Sequence, residues 1–215
     1  MSSTVPIHTA AQVRAAEAPM LEAGVPLMRR AAHALAGVIG EQRPERMLVL
    51  AGAGDNGGDA LFAASELAAG GTAVDVLRTA DRVHEEALAA ATASGARLVT
   101  FKDVDAAAYD LVVDGILGIG ARGGLRGRAR DIVGALRPAA PRVIAVDLPS
   151  GLDPDSGEAD DVVLPATATV TFGAVKAGLT RGHGPALSGR IVLVRLGLEL
   201  ADAVGTASVD EVREG

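Results

Sequence analysis

The side chains of this sequence that could do chemistry lie in three polar, glycine-containing loops, and each loop follows an apolar run of strand length. The loops span residues 52–59, 114–127 and 147–157. Asp147 closes the run RVIAVD, and a carboxylate at such a strand end is a candidate for acid–base catalysis. Asn56, Asp114 and Ser150 come from different loops and offer oxygen ligands for a hard cation. Their low charge leaves a monovalent and a divalent ion equally open.

The first loop has the spacing of a dinucleotide-binding turn but not the charge of one. Gly52, Gly54 and Gly57 satisfy G-x-G-x-x-G between a strand and a helix. In a dinucleotide site the N-terminus of that helix meets the pyrophosphate. Asp55 and Asp59 would repel a phosphate there. Sugar hydroxyls, a polar ring or a cation suit this loop better.

A ribose-binding acid is also lacking at the expected place. In dinucleotide-binding folds that acid lies about twenty residues after the glycine loop, and Asp75 has about this spacing. It falls inside the predicted strand TAVDVL rather than at its end. A Rossmann enzyme that transfers a hydride is therefore a poor interpretation of this sequence.

The second and third loops point to phosphate binding and away from a hydrolase. Arg122, Arg126 and Arg128 follow a glycine run, and guanidinium groups fork onto phosphate oxygens. For any single arginine a solvated position is favoured, whereas the cluster as a whole favours phosphate contact. Ser150 lacks the flanking glycines of a nucleophile elbow, and no histidine is clearly partnered to it.

Composition limits the class of protein. The chain has 215 residues, of which 49% are hydrophobic and 2% aromatic, enough for one α/β domain. A net charge of −7 argues against nucleic acids and acidic membranes as partners. The absence of cysteine excludes disulfides and thiolate catalysis and permits a reducing compartment. Neither a signal peptide nor a membrane-spanning run is found, so we expect a cytoplasmic protein.

Apolar periodicity predicts strands that alternate with helices. The strands cover residues 47–51, 72–77, 98–101, 110–113, 142–146, 168–172 and 190–195. Helices are expected within residues 9–39 (with a break at 24–26), from the first loop to residue 70, and over 81–94 and 129–136. This order predicts one domain, a Rossmann-like three-layer α/β/α sandwich with a mostly parallel sheet. The last two strands lack a full intervening helix, which favours an antiparallel edge hairpin, and residues 201–215 are expected to be a free tail or a linker.

Four ordered motifs resemble those of the NAD(P)H-hydrate epimerases, the YjeF N-terminal domain family. AGAGDNGGDA is similar to the motif G-x-G-N-N-G-G-D-G, and VDGILGIG to D-x-x-x-G-x-G. AVDLPSGLD is similar to V-D-I-P-S-G-L, and TFGAVKAGL to T-F-x-x-x-K-x-G-L. The matches span roughly residues 10 to 200. Asp55 departs from the family by replacing the first asparagine, which adds a negative charge near the expected cation.

The resemblance implies interconversion of the R and S forms of hydrated NADH or NADPH, a repair of damaged cofactor. It implies a potassium ion held by Asn56, Asp114 and Ser150. The implied substrate-binding residues are Asp55, Asn56, Gly57, Gly58, Asp59, Gly118, Ile119, Gly120, Ala121, Arg122, Gly123, Gly124 and Asp147. We also expect a homodimer and a functional link to an NAD(P)H-hydrate dehydratase, either separate or fused to this chain.

Asp147 and Lys176 are the candidate catalytic residues. We expect Asp147 to move the proton that labilises the hydroxyl of the hydrate, so that water can return on the other face. Three roles stay open for Lys176: a hydrogen bond to a catalytic group, a bond to a ribose, or a cap on a strand end. A non-catalytic nucleotide-binding module on the same fold is the main alternative. The sequence keeps all the polar residues expected at the site, which argues against a decayed one: Asn56, Asp59, Asp114, Asp147 and Ser150.

Overall fold

The computed structural model describes residues 3–121 and 123–215, which contain eleven strands and six α-helices. The strands are β1 Ser3–His8, β2 Arg46–Ala51, β3 Ala73–Arg78, β4 Arg97–Val99, β5 Leu111–Gly115, β6 Val143–Val146, β7 Ala168–Phe172, β8 Val175–Lys176, β9 Arg190–Arg195, β10 Gly205–Val209 and β11 Glu211–Glu214. The helices are α1 Ala10–Glu22, α2 Leu27–Gly40, α3 Asp55–Ala69, α4 Glu85–Ala93, α5 Gly127–Leu136 and α6 Gly184–Leu187.

Eight of the strands form one sheet in the order β11-β9-β7-β6-β5-β2-β3-β4, and every pair of neighbours is parallel. The chain extends from β2 to β3 and β4 on one side, then returns to place β5 on the other side of β2. The direction of strand addition therefore changes between β2 and β5. In open parallel sheets, ligands bind at the carboxyl ends of the strands beside this change. The first two polar loops leave β2 and β5 at that position.

Both faces of this sheet are covered, as the near-continuous apolar strands require. Helices α2, α3 and α4 pack on one face and share a hydrophobic core with it. Helix α5 and the apolar segment around Leu164 cover the other face. The apolar stripe of α2, which includes Leu27 and Leu35, is buried in the first core. The three-layer Rossmann-like sandwich predicted from the sequence is confirmed.

The predicted antiparallel edge hairpin is wrong. β7 and β9 are parallel neighbours, with Ala168 opposite Arg190 and Phe172 opposite Val194. Residues 173–189 between them hold β8, a short 3₁₀ turn and the four-residue helix α6. This compact connection is enough to return the chain to the start of the sheet, so a long crossover helix is not needed.

The expectation of a free tail over residues 201–215 is also wrong. β10 pairs antiparallel with β1, and β11 joins the main sheet beside β9. β1 in turn pairs with β8, so that His8 lies beside Lys176 in a small sheet of order β10-β1-β8. The first and last segments of the chain therefore support the strand that carries Lys176. Within the described residues, no helix has the length and apolar character needed to cross a membrane.

Candidate functional site

Asp147 follows β6 directly and has a backbone conformation that is uncommon for a residue with a side chain. Its φ is 68°, in the left-handed region, which aspartate tolerates better than most residues. Its N–H bonds to the carbonyl of Val170 at 2.8 Å, which fixes this turn against the neighbouring strand. Unusual backbone angles of this kind cluster at functional sites, where the surroundings hold them in place.

The carboxylate of Asp147 is buried and receives three hydrogen bonds on the same oxygen. Lys176 Nζ, Thr171 Oγ1 and the Phe172 N–H all donate to Oδ1, the last two at 3.2 Å. Lys176 is itself 1% exposed and also donates to the Phe172 carbonyl at 2.7 Å. A buried carboxylate and ammonium compensate each other only when they are paired and well hydrogen-bonded. Of the roles left open for Lys176, the structure shows contact with the candidate catalytic group.

Asp147 lines a cavity of about 210 Å³, which we call the acidic cavity. Its walls are Glu17, Leu21, Leu27, Met28, Ala31, Asp55, Asn56, Asp59, Ile119, Asp147, Phe172 and Leu196. Helices α1 and α2 supply the first five of these residues, and the start of α3 supplies the next three. The walls are apolar except for Asn56 and four carboxyl groups, which is typical of a site for a polar ring.

Two of these carboxyl groups have raised pKa values. Burial raises the pKa of Asp59 well above its ordinary value, and the charges of Asp147, Asp55 and Glu17 act in the same direction. Burial likewise raises the pKa of Glu17, where the charge of Lys176 opposes the shift. A phosphate would add negative charge to this cluster, so the geometry agrees with the sequence argument that pyrophosphate lies elsewhere.

The predicted first loop is shorter than expected, because α3 already begins at Asp55. Gly54 is the N-cap, and Asn56, Gly57, Gly58 and Asp59 belong to the first turns of the helix. A Cβ atom on Gly57 would lie 2.2 Å from the carbonyl oxygen of Gly52, so only glycine allows this tight start. Asp55 occupies the first turn, where the helix dipole favours a negative charge.

Asn56, Asp114 and Ser150 converge at the carboxyl ends of β2, β5 and β6. Ser150 donates to both Asp114 oxygens, through Oγ at 2.6 Å and through its N–H at 2.9 Å. Asn56 Nδ2 bonds to the carbonyls of Leu117 and Val146, at 3.0 and 2.5 Å. The Leu117 N–H donates to Ser150 Oγ at 2.9 Å, which links the two halves of the cluster. Burial raises the pKa of Asp114, and the hydrogen bonds from Ser150 act against that shift.

This cluster is rich in neutral oxygens and poor in charge. It holds one carboxylate, one hydroxyl, one amide and two backbone carbonyls. Within residues 3–121 and 123–215, no group of three or more histidine, cysteine, aspartate and glutamate side chains could hold a metal ion. Transition metals prefer such sets, whereas hard cations take oxygens of mixed charge. The donor set is of the kind that a hard cation takes, and the potassium ion that the resemblance implies stays a prediction.

The predicted contacts in the second loop divide between two cavities. Ile119 lines the acidic cavity, whereas Gly118, Ala121, Gly123 and Gly124 line a separate space of about 360 Å³, the loop cavity. Consecutive residues thus face different cavities, and the same holds for Asp147 and Leu148. Of the remaining predicted contacts, Gly57 and Gly58 shape the start of α3, and Gly120 lies in the exposed part of the loop.

The arginines of this loop have different positions. Arg126 is exposed and lines the loop cavity, where it could meet a phosphate. Arg128 lies on the exposed first turn of α5, and Arg122 lies outside the described residues. Arg130, which the sequence did not single out, is bound by Asp160 and Asp161 at 3.1 and 2.8 Å. Phosphate contact therefore stays a prediction for Arg126.

Asp75 lies away from both cavities and has a structural role. Arg46 and Arg97 bond to its carboxylate at 2.7 and 2.8 Å, and the Tyr109 hydroxyl donates at 3.0 Å. Burial acts to raise the pKa of Asp75, but the hydrogen bonds from Arg97, Arg46 and Tyr109 outweigh it and lower the pKa to about 2. This carboxylate has no free side for a ribose, in agreement with the sequence argument.

Sequence reasoning missed Glu17, which lines the acidic cavity from α1. The helix itself was predicted, and in the structure Thr9 caps it with a reciprocal hydrogen bond to Gln12. The signal available was a charged residue next to the buried stripe of Val13 and Ala16. That position looks like an ordinary border between apolar and polar faces, so only the tertiary structure distinguishes it.

Comparisons with known proteins agree on one family. The family described as "YjeF-related protein N-terminus" matches residues 24–178. An "NAD(P)H-hydrate epimerase" of Microbacterium testaceum is 59% identical, over 98% of this chain and 87% of that protein. Another, from Clavibacter michiganensis subsp. michiganensis, is 50% identical over 91% of this chain and 92% of that protein.

Two further matches concern chain organisation and fold. The "Bifunctional NAD(P)H-hydrate repair enzyme Nnr" of Mycobacterium tuberculosis is 46% identical over 92% of this chain but only 43% of that protein. The crystal structure of a yeast protein, ynu0, superposes with a TM-score of 0.73 at 18% identity, over 82% of this chain and 84% of that one. The latter comparison supports the fold alone.

Proposed function

The chain belongs to the YjeF-related N-terminal family, and from this premise we infer that it is an NAD(P)H-hydrate epimerase, an isomerase. Its reaction interconverts the R and S forms of hydrated NADH or NADPH. Identity of 59% along nearly the whole chain supports the activity. The observation that supports the mechanism is the buried pair of Asp147 and Lys176 at the wall of the acidic cavity.

The chemistry of the substrate defines what the site must do. Water adds to an enamine at the carbon next to nitrogen, so the hydroxyl of the hydrate sits beside the ring nitrogen. Breaking the carbon–oxygen bond leaves a cation that the nitrogen lone pair stabilises, and the hydroxyl departs as water once it has gained a proton. Water then adds to the opposite face and loses a proton. The reaction therefore needs proton transfer and exclusion of bulk water, but no oxidant or reductant.

Asp147 is the proton-transfer group of this proposal. Its carboxylate lines the acidic cavity, and all three of its hydrogen bonds from the described residues go to Oδ1. Oδ2 is thereby left for the substrate. Lys176 is a positioning residue, because it holds Oδ1 and is itself fixed by the Phe172 carbonyl. A group placed at hydrogen-bonding distance in this way can exchange a proton with the hydroxyl oxygen.

The substrate extends over both cavities in this proposal. The acidic cavity, at about 210 Å³, is smaller than typical ligand pockets of roughly 300–1,000 Å³, so it takes the ring end only. Asp59 and Asn56 then face the ring and its polar substituent. The phosphates follow the loop of residues 118–124 into the loop cavity, where Arg126 offers a positive charge.

Asn56, Asp114 and Ser150 would hold a potassium ion, together with the carbonyls of Leu117 and Val146. When bound, the ion supplies positive charge that fixes the loops after β2, β5 and β6 against one another. Asp147 is three residues from Ser150, so the same set orients the turn that carries the catalytic carboxylate.

We propose that the enzyme works with a dehydratase, in the cytoplasm and as a homodimer. The Nnr relative is named as bifunctional, which supports a functional link with a dehydratase, either as a separate protein or fused to this chain. A cytoplasmic location is consistent with the absence of cysteine, and we propose a homodimer by analogy with the family. Size-exclusion chromatography with light scattering would test the last point.

Chiral separation of hydrated NADH and NADPH before and after addition of the protein tests the function. We expect each pure R or S form to become the mixture, faster in potassium than in sodium at equal ionic strength. In isotopically labelled water, oxygen exchange should accompany the interconversion, because the carbon–oxygen bond breaks. Absence of interconversion with both cofactors would refute the proposed function. Interconversion at the same rate in sodium would refute only the potassium site.

A further inference from the structure

Epimerisation places a chemical demand on the site that Asp147 does not meet alone. The hydroxyl leaves from one face of the ring, and water returns to the other. A carboxyl group held on one element reaches oxygen on one face only. A second proton-transfer group is therefore required, and it must enter the cavity from a different element of the fold.

The carboxyl groups that line the acidic cavity limit the choice. Besides Asp147 they are Asp55, Asp59 and Glu17. Asp59 is 7% exposed and lines the cavity, and its carboxyl group makes no hydrogen bond with another described residue. A largely buried carboxyl without a protein partner at a cavity wall points to a polar group in the cavity, because burial of a polar group without a partner is costly. The cavity is thus built to receive a polar group.

Glu17 meets the geometric demand best. It lies on α1, whereas Asp147 extends from the edge of the sheet, so the two carboxyl groups enter the cavity from separate elements. Glu17 is only partly buried, and its carboxyl can therefore recover a proton from solvent between turnovers. Asp59 is much less accessible to solvent, and Asp55 is exposed and adjacent to Asn56 of the proposed cation site.

We propose that Glu17 is the second catalytic acid–base residue, and that it serves the face of the ring opposite to the face that Asp147 serves. This inference rests on the proposed function. In one direction Glu17 gives a proton to the departing hydroxyl, which leaves as water while the ring nitrogen forms a double bond to the carbon. Water adds to the other face, its oxygen bonds to that carbon, and its proton passes to Asp147. The reverse direction exchanges the two roles, and solvent resets the protons.

The electrostatic surroundings support a difference between the two carboxyl groups. Asp147 is paired with the buried Lys176, whereas Glu17 is only partly buried and belongs to no ion pair among the described residues. Burial raises the pKa of Glu17, with Lys176 acting against it and Asp147 and Asp55 in the same direction. The charged groups that face Glu17 are Arg14 on α1, Asp55 and Asp59 on α3, Asp147 after β6 and Lys176 on β8. The two carboxyl groups therefore differ in pairing and burial, as an acid and a base commonly do at one site.

The test compares Glu17→Gln with the wild type and with Glu22→Gln, a control at an exposed position of the same helix. Rates from R to S and from S to R are measured from about pH 5 to pH 9. We expect kcat of Glu17→Gln to fall by about 100-fold in both directions while KM changes by less than about threefold. The pH dependence that belongs to Glu17 should disappear. Glu22→Gln should match the wild type.

Stability separates catalysis from a structural role. Folding raises the pKa of Glu17, so at a pH above its ordinary pKa the charged Glu17 carboxylate destabilises the folded state. Glu17→Gln should therefore unfold at the same temperature as the wild type, or at a higher one, at pH 8. Glu17→Asp should recover part of kcat with a shifted pH profile.

Several outcomes would overturn the inference. They are a Glu17→Gln rate within about threefold of the wild type, an effect on KM alone, or loss of the same pH dependence in Asp59→Asn instead. An inactive wild type would instead refute the proposed function itself.

Discussion

Replacement of Asp147 by asparagine tests the site most directly, because it changes charge while it keeps shape. Asparagine also tolerates the left-handed backbone at this position, where φ is 68°. The amide oxygen can still accept hydrogen bonds from Thr171 and from the Phe172 N–H, each at 3.2 Å in the wild type. What is lost is the negative charge beside Lys176, which is 1% exposed.

The structure predicts separate magnitudes for stability and activity. Removal of one partner of a buried ion pair costs about 3–5 kcal/mol. Loss of an acid–base group typically slows a reaction by about 100- to 10,000-fold. Asp147→Asn should therefore fold with reduced stability and epimerise at least about 100-fold more slowly.

Rates come from chiral separation of hydrated NADH, and the free energy of unfolding from urea titration. Asp131→Asn, at an exposed position of α5, is the control for loss of a carboxylate alone. Addition of Lys176→Met to Asp147→Asn removes the unpaired ammonium. The double variant should then be more stable than the sum of the single effects by about 1–3 kcal/mol, with no recovery of activity. An Asp147→Asn rate within about threefold of the wild type would refute the catalytic role, and additive stabilities would refute the pairing.

Three further predictions concern residues beside the site and residues that stabilise the sheet. Asp75→Asn should lower the free energy of unfolding at neutral pH by about 2 kcal/mol. Folding lowers the pKa of Asp75 from 3.8 to about 2. The stabilisation is therefore complete above pH 3.8 and disappears as the pH falls from 3.8 to about 2. Urea titrations at several pH values would show this loss. Gly118→Ala places a Cβ atom 2.2 Å from Asn56 Oδ1, whereas Gly120→Ala meets nothing within 4 Å. The first should raise the potassium concentration for half-maximal activity by about tenfold and the second should leave it unchanged; equal values would contradict the proposed cation site. Arg213→Ala removes ion pairs of 2.6 Å from β11 and should cost about 1 kcal/mol in thermal unfolding, whereas no loss would mean that this strand contributes little.

Local sequence predicted the main sheet and the polar loops because the two signals are short-range. Apolar runs such as residues 47–51 and 142–146 are buried on both faces of a parallel sheet. They are therefore continuous in sequence, without the alternation of polar and apolar residues seen in half-exposed strands. Each run ends at glycine or aspartate. Parallel strands end at the same edge, so the three loops had to meet there once the strands were recognised.

Long-range pairing could not be predicted in the same way. β1 pairs with β10 across nearly the whole chain, and its apolar residues Val5 and Ile7 form too short an alternation to identify a strand. The contact between Asp147 and Lys176 depends on β8, which has two residues and is supported by β1. The role of Glu17 depends on how α1 meets the start of α3. Each of these features is a property of tertiary packing rather than of local sequence.

The start of α3 shows how one structural unit can serve a different chemistry. In a dinucleotide site, the free N–H groups and the positive end of the helix dipole bind a pyrophosphate. Here the first turn holds Asp55, and Asp59 follows one turn later beside the cavity that Asp147 lines. The helix end therefore faces the chain's own carboxyl groups. Gly57 packs against Gly52, and Gly118 packs against Asn56, so the glycines bring the start of α3 close to both loops. The glycine motif thus places carboxyl groups at the cavity, and we predict that phosphate binds at the loop after Asp114 instead.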